Sequence, residues 1–235
     1  MERLDKIVAS QTEFSRKEIK KLCLQGRVKV NNEIVKNSDT KIDELNDNIM
    51  VDEKLITVRK NVYLALNKPK GYISATEDAF DPVVLDLVPQ EYKHRNLFPI
   101  GRLDKDTTGL IIITDDGEFA HNIIAPNKHV KKTYFVEIDI EVTEKMISGF
   151  QKGVKLKDEI CKPAILEKIS EKEALVTITE GKYHQIKRMF GCFGAKVVEL
   201  KRLSIGNYKL PDDLKEGCVI ELTETNLLKI KEVEK

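Results

Sequence analysis

Apolar positions in the first 30 residues follow a helical period. A helical stretch near residues 3–9 precedes Ser15, and Glu18 stands three residues after Ser15, the spacing of a capping box. Gly26 is expected to end the helix that this box starts. Three apolar residues of that helix recur at the i, i+3, i+4 spacing of a single buried face: Ile19, Leu22 and Cys23.

The segment after this helix has the apolar pattern of β-strands. Apolar residues flank Asn31-Asn32 on both sides, which predicts a hairpin turn, and Ile49 and Val51 predict a further strand. The polar, basic stretch 54–61 reads as a boundary. The sequence therefore predicts a small domain over residues 1–60 and a larger domain over residues 61–235.

The larger domain mixes both periods. Val62, Leu64 and Leu66 alternate as in a half-buried strand. Further strands are predicted over residues 110–113, 134–138, 175–179, 197–203 and 219–222, and helices over 118–125, 143–152 and 184–193. Pro126 and Gly194 are expected to end two of these helices, and residues 229–235 to form a frayed tail. The fold class is α+β: two helices, a turn and strands, followed by a mixed, largely antiparallel sheet with flanking helices.

Composition predicts the cellular location and argues against a metal site. In 235 residues, no apolar run approaches the length of a bilayer span, and the N-terminus resembles neither a signal nor a transit peptide, so the cytoplasm is expected. The four cysteines form no C-x-x-C pair and the four histidines no H-x-x-x-H or H-x-H spacing, so no metal site is expected. A formal net charge of +1 does not indicate a polyanionic partner, so that evidence must come from local clusters.

One such cluster lies on the second helix. The segment 15–30 contains six basic residues and one acidic residue. The basic residues fall opposite the apolar face or just after the helix: Arg16, Lys17, Lys20, Lys21, Arg27 and Lys29. An RNA backbone would relieve their mutual repulsion. A plain solvated face is the alternative for an isolated helix.

The order of elements favours RNA. The run over residues 2–50 resembles the small RNA-binding module named after a small-subunit ribosomal protein, the S-four domain. That module is a helix pair followed by a short strand turn, and it presents basic residues to structured RNA. The resemblance implies RNA binding, not chemistry.

The segment 101–121 carries the chemical signal. Gly101 and Gly109 bracket a loop that precedes an apolar strand, and Asp104 lies in that loop. An isolated loop Asp is ordinarily a turn former. The D-x-D-x-T look of residues 104–108 is also found in haloacid-dehalogenase-type phosphatases, but there the apolar strand precedes the first Asp and a Gly usually follows the second. We discard that alternative.

The full segment instead resembles the signature of the pseudouridine synthases of the small-subunit (16S) rRNA type, G-R-L-D-x-D-T-x-G-L. Three further blocks resemble that family in the same order: 66–72 (LNKPKGY), 132–134 (KTY) and 180–190 (EGKYHQIKRMF). The resemblance implies that Asp104 is catalytic, as a nucleophile or as a base that abstracts a proton. Because the reaction is an isomerisation, no cofactor is expected.

The helical pattern suggests the partner of Asp104. A carboxylate in a cleft without water needs a nearby cation to stay ionised. Ile186 and Met189 share the buried face of the predicted helix 184–193, Lys187 borders that face, and Arg188 lies on the opposite side. We therefore expect Lys187 to pair with Asp104. The family comparison agrees, while Arg188 is expected at the surface or on the RNA backbone.

Other roles come from the resemblance. Tyr134 is expected to stack on the target base and Ile186 to lie beneath it, whereas a core tyrosine is the structural alternative for Tyr134. Arg102 is expected to fill the gap that the flipped base leaves in the RNA. Further basic residues are expected to hold the RNA backbone: Lys128, Lys131, Lys132, Lys182, Lys196, Lys201 and Arg202.

The resemblance also implies the partner. Ribosomal RNA is expected, in a small-subunit assembly intermediate, with no membrane contact, and a monomer is the simplest arrangement for one substrate face. Thr108 and His184 favour 16S rRNA, since relatives that act on large-subunit (23S) rRNA commonly differ there. A 23S synthase and a non-catalytic rRNA-binding or assembly factor remain the alternatives.

Overall fold

The computed structural model describes residues 1–44, 46–125, 128–157 and 159–232. The chain forms two compact units, Met1–Val62 with Val88–Leu97, and Tyr63–Leu87 with Phe98–Lys235. The sequence reading had assigned residues 88–97 to the second domain. They join the first unit because His94 Nε2 lies 3.1 Å from the Ser10 carbonyl oxygen and Arg95 Nη2 donates to the Arg59 carbonyl oxygen at 2.7 Å.

The first unit is a helix pair with two small sheets. Its elements are β1 (Glu2–Arg3), α1 (Leu4–Gln11), α2 (Arg16–Leu24), β2 (Val28–Val30), β3 (Glu33–Ile34), β4 (Lys41–Ile42), β5 (Ile49–Val51), β6 (Lys54–Ile56) and a 3₁₀ turn (Gln90–Tyr92). The predicted capping box is present, with Ser15 and Glu18 bonded to each other's backbone N–H groups. Ile19, Leu22 and Cys23 are buried in one apolar core with α1.

The hairpin prediction is confirmed. Asn31 and Asn32 adopt φ angles of 50° and 68° between β2 and β3, the left-handed pair that a type I′ turn requires. Strands β3, β2, β5 and β6 form an antiparallel sheet in that order. The sequence did not predict β6, because its residues fall in the polar, basic stretch 54–61 that indicated a domain boundary.

The second unit is built on a large mixed sheet. Its elements are β7 (Tyr63–Lys68), a 3₁₀ turn (Val84–Leu87), β8 (Phe98–Ile100), β9 (Thr108–Thr114), α3 (Gly117–Ile124), β10 (Lys132–Ile138), α4 (Glu144–Lys152), β11 (Ile165–Lys168), β12 (Glu173–Ile178), α5 (Gln185–Gly191), β13 (Val197–Ile205), β14 (Tyr208–Lys209), β15 (Val219–Glu221) and α6 (Glu224–Lys231).

The main path of the sheet runs β11-β12-β10-β13-β9-β7-β15, while β14 pairs with β13 and β8 with β9. Only β9 and β13 run parallel among the pairs of described strands. The α+β class and the largely antiparallel sheet are therefore confirmed. Strand β7 corrects one prediction: Leu64 to Lys68 are all buried, not alternately exposed, because β7 lies inside the sheet with both faces covered.

The C-terminal end also differs from the prediction. Residues 229–231 belong to helix α6, which begins at a capping box on Thr223 and buries Ile230 completely. Its apolar contact with the core outweighs the charged composition that suggested fraying. Pro126 and residues 233–235 lie outside the described residues.

One close approach fixes where the sheet meets the loop 101–107. Gly109 has a φ of +96°, and a Cβ atom there would lie 2.3 Å from the Arg202 carbonyl oxygen. Only glycine allows β9 and β13 to run this close. The start of β9, four residues after Asp104, is thereby held against β13.

None of the described helices has both the length and the apolar character that crossing a bilayer requires.

Candidate active site

The loop 101–107 connects β8 to β9 and is held at both of its ends. Leu103 is buried, and its backbone N–H and carbonyl oxygen both bond to the Ser74 hydroxyl at 2.9 Å. The Thr107 N–H donates to the Asp104 carbonyl oxygen at 3.1 Å, which closes a tight turn. The Asp104 side chain stands on this turn with 27% of its surface exposed.

A buried lysine anchors the same turn from below. Lys68 is fully buried. Its Nζ atom donates to the carbonyl oxygen of Thr107 at 2.7 Å, to that of Asp104 at 3.1 Å and to that of Pro69 at 3.2 Å. The Lys105 carbonyl oxygen lies at 3.4 Å. Burial lowers the pKa of Lys68 to about 8, while the carbonyl oxygens favour its charged form. In the sequence, Lys68 stands out only as part of the 66–72 block. Its role as an anchor follows from the position of its Nζ atom under the loop.

Lys187 meets the carboxylate of Asp104. Its Nζ atom lies 3.0 Å from Asp104 Oδ2 and 2.6 Å from Asp106 Oδ1. This is the pairing that the helical pattern predicts, since Ile186 and Met189 are buried on the adjacent face of α5. Burial opposes the charge of Lys187, but the bonds to Asp106 and Asp104 outweigh it and raise its pKa. The pair therefore keeps a charged cation beside Asp104.

Arg188 points away from Asp104. Its Nη1 atom donates to Glu159 Oε1 at 3.1 Å. Arg188 does not line the cavity beside Asp104.

The sequence indicated Tyr183 and His184 only as part of the 180–190 block, with His184 also favouring 16S rRNA, and did not predict their contact with the site. His184 Nε2 lies 3.4 Å from Asp104 Oδ1, and the Tyr183 ring stacks on His184 with 3.8 Å between centroids and 18° between planes. His184 adopts a left-handed φ of 47° just before α5. That conformation turns its side chain toward Asp104, and no periodicity in the sequence signals it.

A cavity of about 890 Å³ opens beside Asp104, a volume within the range of small-molecule sites. It brings together residues that the sequence had placed far apart: Arg102, Asp104, Lys132, Tyr134, Ile186 and Lys187. Among its described lining residues are six lysines and arginines but only two carboxylates, Asp104 and Glu180. The lining therefore has more basic than acidic side chains, and three of its lysines, Lys105, Lys182 and Lys187, are paired with carboxylates.

Strands β10 and β13 form one wall of the cavity. Tyr134 is 7% exposed and pairs directly across from Arg202, so their side chains share a face of the sheet. Lys132 stands two residues before Tyr134 on that face. Burial, followed by the charge of Arg202, lowers the pKa of Lys132 to about 8.

The structure places Arg202, one of the basic residues expected to hold the RNA backbone, inside the cavity and not on the outer surface. It is only 4% exposed, because its strand crosses the interior of the sheet beside β9, and it lines the cavity. Lys182 also lines the cavity, where it pairs with Glu159 at 2.8 Å. Lys128, Lys131, Lys196 and Lys201 do not line it.

The basic stripe of the first unit is narrower than predicted. Arg16 pairs with Asp5 at 3.0 Å and Arg27 with Asp52 at 2.5 Å, while Lys29 pairs with Glu53 at 2.6 Å. The exposed lysines of α2 without such a partner among the described residues are Lys17, Lys20 and Lys21.

Comparisons with known proteins agree on one family. A family model for RNA pseudouridylate synthase matches residues 62–191, and the S4 domain model matches residues 2–49. The chain is 40% identical to ribosomal small subunit pseudouridine synthase A of Escherichia coli (strain K12), over 97% of this chain and 99% of that protein. It is 39% identical to an uncharacterised RNA pseudouridine synthase of Aquifex aeolicus, over 99% and 98%.

A solved structure is similar over the same length. The crystal structure of a pseudouridylate synthase aligns with a TM-score of 0.70 at 37% identity, covering 98% of this chain and 100% of that chain. The resemblance that the sequence blocks carry is therefore confirmed at the level of family and fold.

Replacing Lys68 with methionine should destabilise the second unit. The substitution leaves buried carbonyl oxygens without a donor, and we expect a loss of about 2–4 kcal/mol in the free energy of unfolding. Denaturant titration measures this loss. Hydrogen exchange should accelerate at the Thr107 amide. The exposed neighbour provides the control, and Lys70→Met should change stability by less than about 0.5 kcal/mol. Equal effects of the two substitutions would contradict the anchoring role.

Proposed function

Because the chain belongs to the family of RNA pseudouridine synthases, which are isomerases, we propose that it converts a uridine of ribosomal RNA into pseudouridine, with Asp104 as the catalytic carboxylate. One observation carries this proposal: Asp104 stands in a cavity with a lysine 3.0 Å from its carboxylate and with Tyr134 and Ile186 in the lining.

The reaction breaks the bond between the ring nitrogen and the ribose, turns the base and rejoins it through ring carbon five. It needs an ionised carboxylate at the ribose or the base. Asp104 attacks as a nucleophile or removes a proton, and both roles require that it stay charged. Lys187 stabilises that charge in a site that the substrate closes to water.

The base must leave the RNA stack to reach Asp104, at a cost of a few kcal/mol. Tyr134 offers a ring on which the flipped base stacks, and Ile186 provides an apolar surface beneath it. Arg102 is exposed and lines the cavity, a position from which it can occupy the gap in the RNA. Arg188 contacts the RNA backbone outside the cavity.

The first unit holds the RNA. Lys17, Lys20 and Lys21 are exposed on one side of α2 and bind the phosphate backbone. Arg16 and Arg27 are engaged by Asp5 and Asp52 but remain half exposed, so each can share its guanidinium with a phosphate.

The substrate is 16S rRNA, bound in a small-subunit assembly intermediate by a monomer. Support comes from the names of the relatives in Escherichia coli and Haemophilus influenzae, both ribosomal small subunit pseudouridine synthase A, at 40% and 37% identity. Residues Thr108 and His184 point the same way. A synthase for 23S rRNA is the alternative.

Asp104→Asn should abolish pseudouridine formation while RNA binding persists. The amide cannot act as a nucleophile or base, and we expect turnover to fall by at least about 10³-fold. A single-turnover assay on transcribed rRNA measures turnover, and filter binding measures affinity.

Asp106→Asn is the matched control. It makes the same change two residues away and also removes a carboxylate from Lys187. We expect a fall of no more than about ten-fold, since Asp104 keeps its cation. Equal losses for both variants would show that a carboxylate near Lys187 matters, but not that Asp104 is the catalytic group.

Replacing Lys17, Lys20 and Lys21 together with glutamine should weaken RNA binding. The slope of log affinity against log salt should fall by about one unit for each lysine that contacts a phosphate. Substitution is cleaner than deleting residues 1–60, because residues 88–97 pack in the same unit. Lys29→Gln, which loses a lysine paired with Glu53, is the control and should leave the slope nearly unchanged. An unchanged slope in the triple variant would contradict the proposed RNA contact.

Pseudouridine mapping in rRNA from cells that lack this protein tests the substrate. We expect one site in 16S rRNA to disappear and to return with the wild-type gene but not with the Asp104→Asn gene. Loss of a 23S site would support the alternative substrate. A complete set of pseudouridines, together with retained rRNA binding, would support a non-catalytic binding factor.

A further inference from the structure

We propose that Lys132 and Arg202 form a phosphate subsite in the cavity and bind a phosphodiester group beside the target uridine. The proposal rests on the function proposed above, because it takes the ligand of the cavity to be an RNA strand. It adds a second point of attachment, separate from Asp104 and Lys187.

Arg202 is a buried charge without a counter-ion. Only 4% of Arg202 is exposed, and an arginine guanidinium carries a positive charge. Nε donates to the Leu110 carbonyl oxygen at 2.6 Å, and Nη2 has no hydrogen-bond partner. In the described part of the chain, no carboxylate pairs with it. Buried charges are ordinarily paired, so this arginine lacks the partner that its burial requires.

Lys132 places a second cation on the same wall. Its side chain and that of Arg202 flank Tyr134 on one face of the β10–β13 pair, and both line the cavity. The one bond described for its Nζ atom is a long one, 3.4 Å, to the Ile123 carbonyl oxygen. Burial and the charge of Arg202 lower the pKa of Lys132 to about 8. An anion between the two would compensate both positive charges.

The two carboxylates that line the cavity interact with groups other than Lys132 and Arg202. Asp104 pairs with Lys187 at 3.0 Å. Glu180 Oε1 accepts from the Lys162 N–H at 2.9 Å and from Gln185 Nε2 at 2.8 Å. The two carboxylates that line the cavity therefore do not neutralise the Lys132–Arg202 pair, and the partner must arrive with the ligand.

The anionic group that an RNA strand carries is its phosphodiester. Arginine and lysine are the side chains that most often contact phosphate oxygens in nucleic-acid complexes. Tyr134 pairs directly across from Arg202, so a nucleotide whose base stacks on Tyr134 would bring one of its flanking phosphates to the Lys132–Arg202 pair. The uracil carbonyl oxygens are neutral and would compensate two positive charges poorly.

Calorimetric titration with small probes tests the subsite. Wild-type protein is titrated with uridine, uridine 5′-monophosphate, uridine 3′-monophosphate and inorganic phosphate. We expect one monophosphate to bind at least about ten-fold more tightly than uridine, as charge-assisted hydrogen bonds would provide. Lys132→Gln should reduce this preference to less than about three-fold and leave uridine affinity nearly unchanged. Lys209→Gln, an exposed lysine on β14 outside the cavity, should retain the full preference.

Other results would overturn the proposal. Equal losses for uridine and its monophosphates in Lys132→Gln would assign Lys132 to the base or ribose. Inorganic phosphate that binds more tightly than either monophosphate would indicate a site for a free anion. Because Arg202 is buried, Arg202→Lys is used beside Arg202→Gln, with thermal melting to confirm folding. The folded charge-conserving variant should keep part of the preference, and a full preference in folded Arg202→Gln would remove Arg202 from the subsite.

The test is independent of turnover. Asp104→Asn leaves Lys132 and Arg202 in place and should keep the monophosphate preference. An active enzyme without the monophosphate preference would contradict the subsite and leave the proposed function intact. A wild-type protein that shows the preference but forms no pseudouridine would contradict the proposed function and leave the subsite intact.

Discussion

The site depends on one buried ammonium. Lys68 lies inside the sheet and donates to the carbonyl oxygens of Asp104 and Thr107. An irregular loop such as 101–107 has backbone carbonyl groups that turn away from regular pairing and need donors. Lys68 supplies these donors from a strand that the sheet holds rigidly, so the position of Asp104 is set by the core and not by the loop.

The position of β9 also helps to fix the geometry of the cavity. Gly109 permits the parallel contact with β13, which brings the wall that carries Arg202 beside the loop that carries Asp104. Helix α5 then reaches the same place from a distant part of the chain and delivers Lys187. Three separate constraints, a buried cation, a glycine contact and an amphipathic helix, converge on one cavity.

Charge is distributed unevenly over this protein. The chain as a whole is nearly neutral, yet the cavity wall and the exposed side of α2 are both positive. In the first unit, carboxylates such as Asp5 and Asp52 engage some of the arginines and leave the α2 lysines open. A near-neutral protein can thus offer two separate basic surfaces to a polyanion while it limits self-repulsion elsewhere.

Local patterns in the sequence were sufficient for the helix pair, the Asn31-Asn32 turn, the α+β class and the orientation of Lys187, because these follow from short-range periodicity and capping. The family followed from motif blocks. Only the tertiary structure decided that residues 88–97 join the first unit, that Arg202 is buried, and that His184 turns toward Asp104. Each of these depends on contacts between residues far apart in the chain or on a left-handed backbone angle, and neither leaves a periodic trace in the sequence.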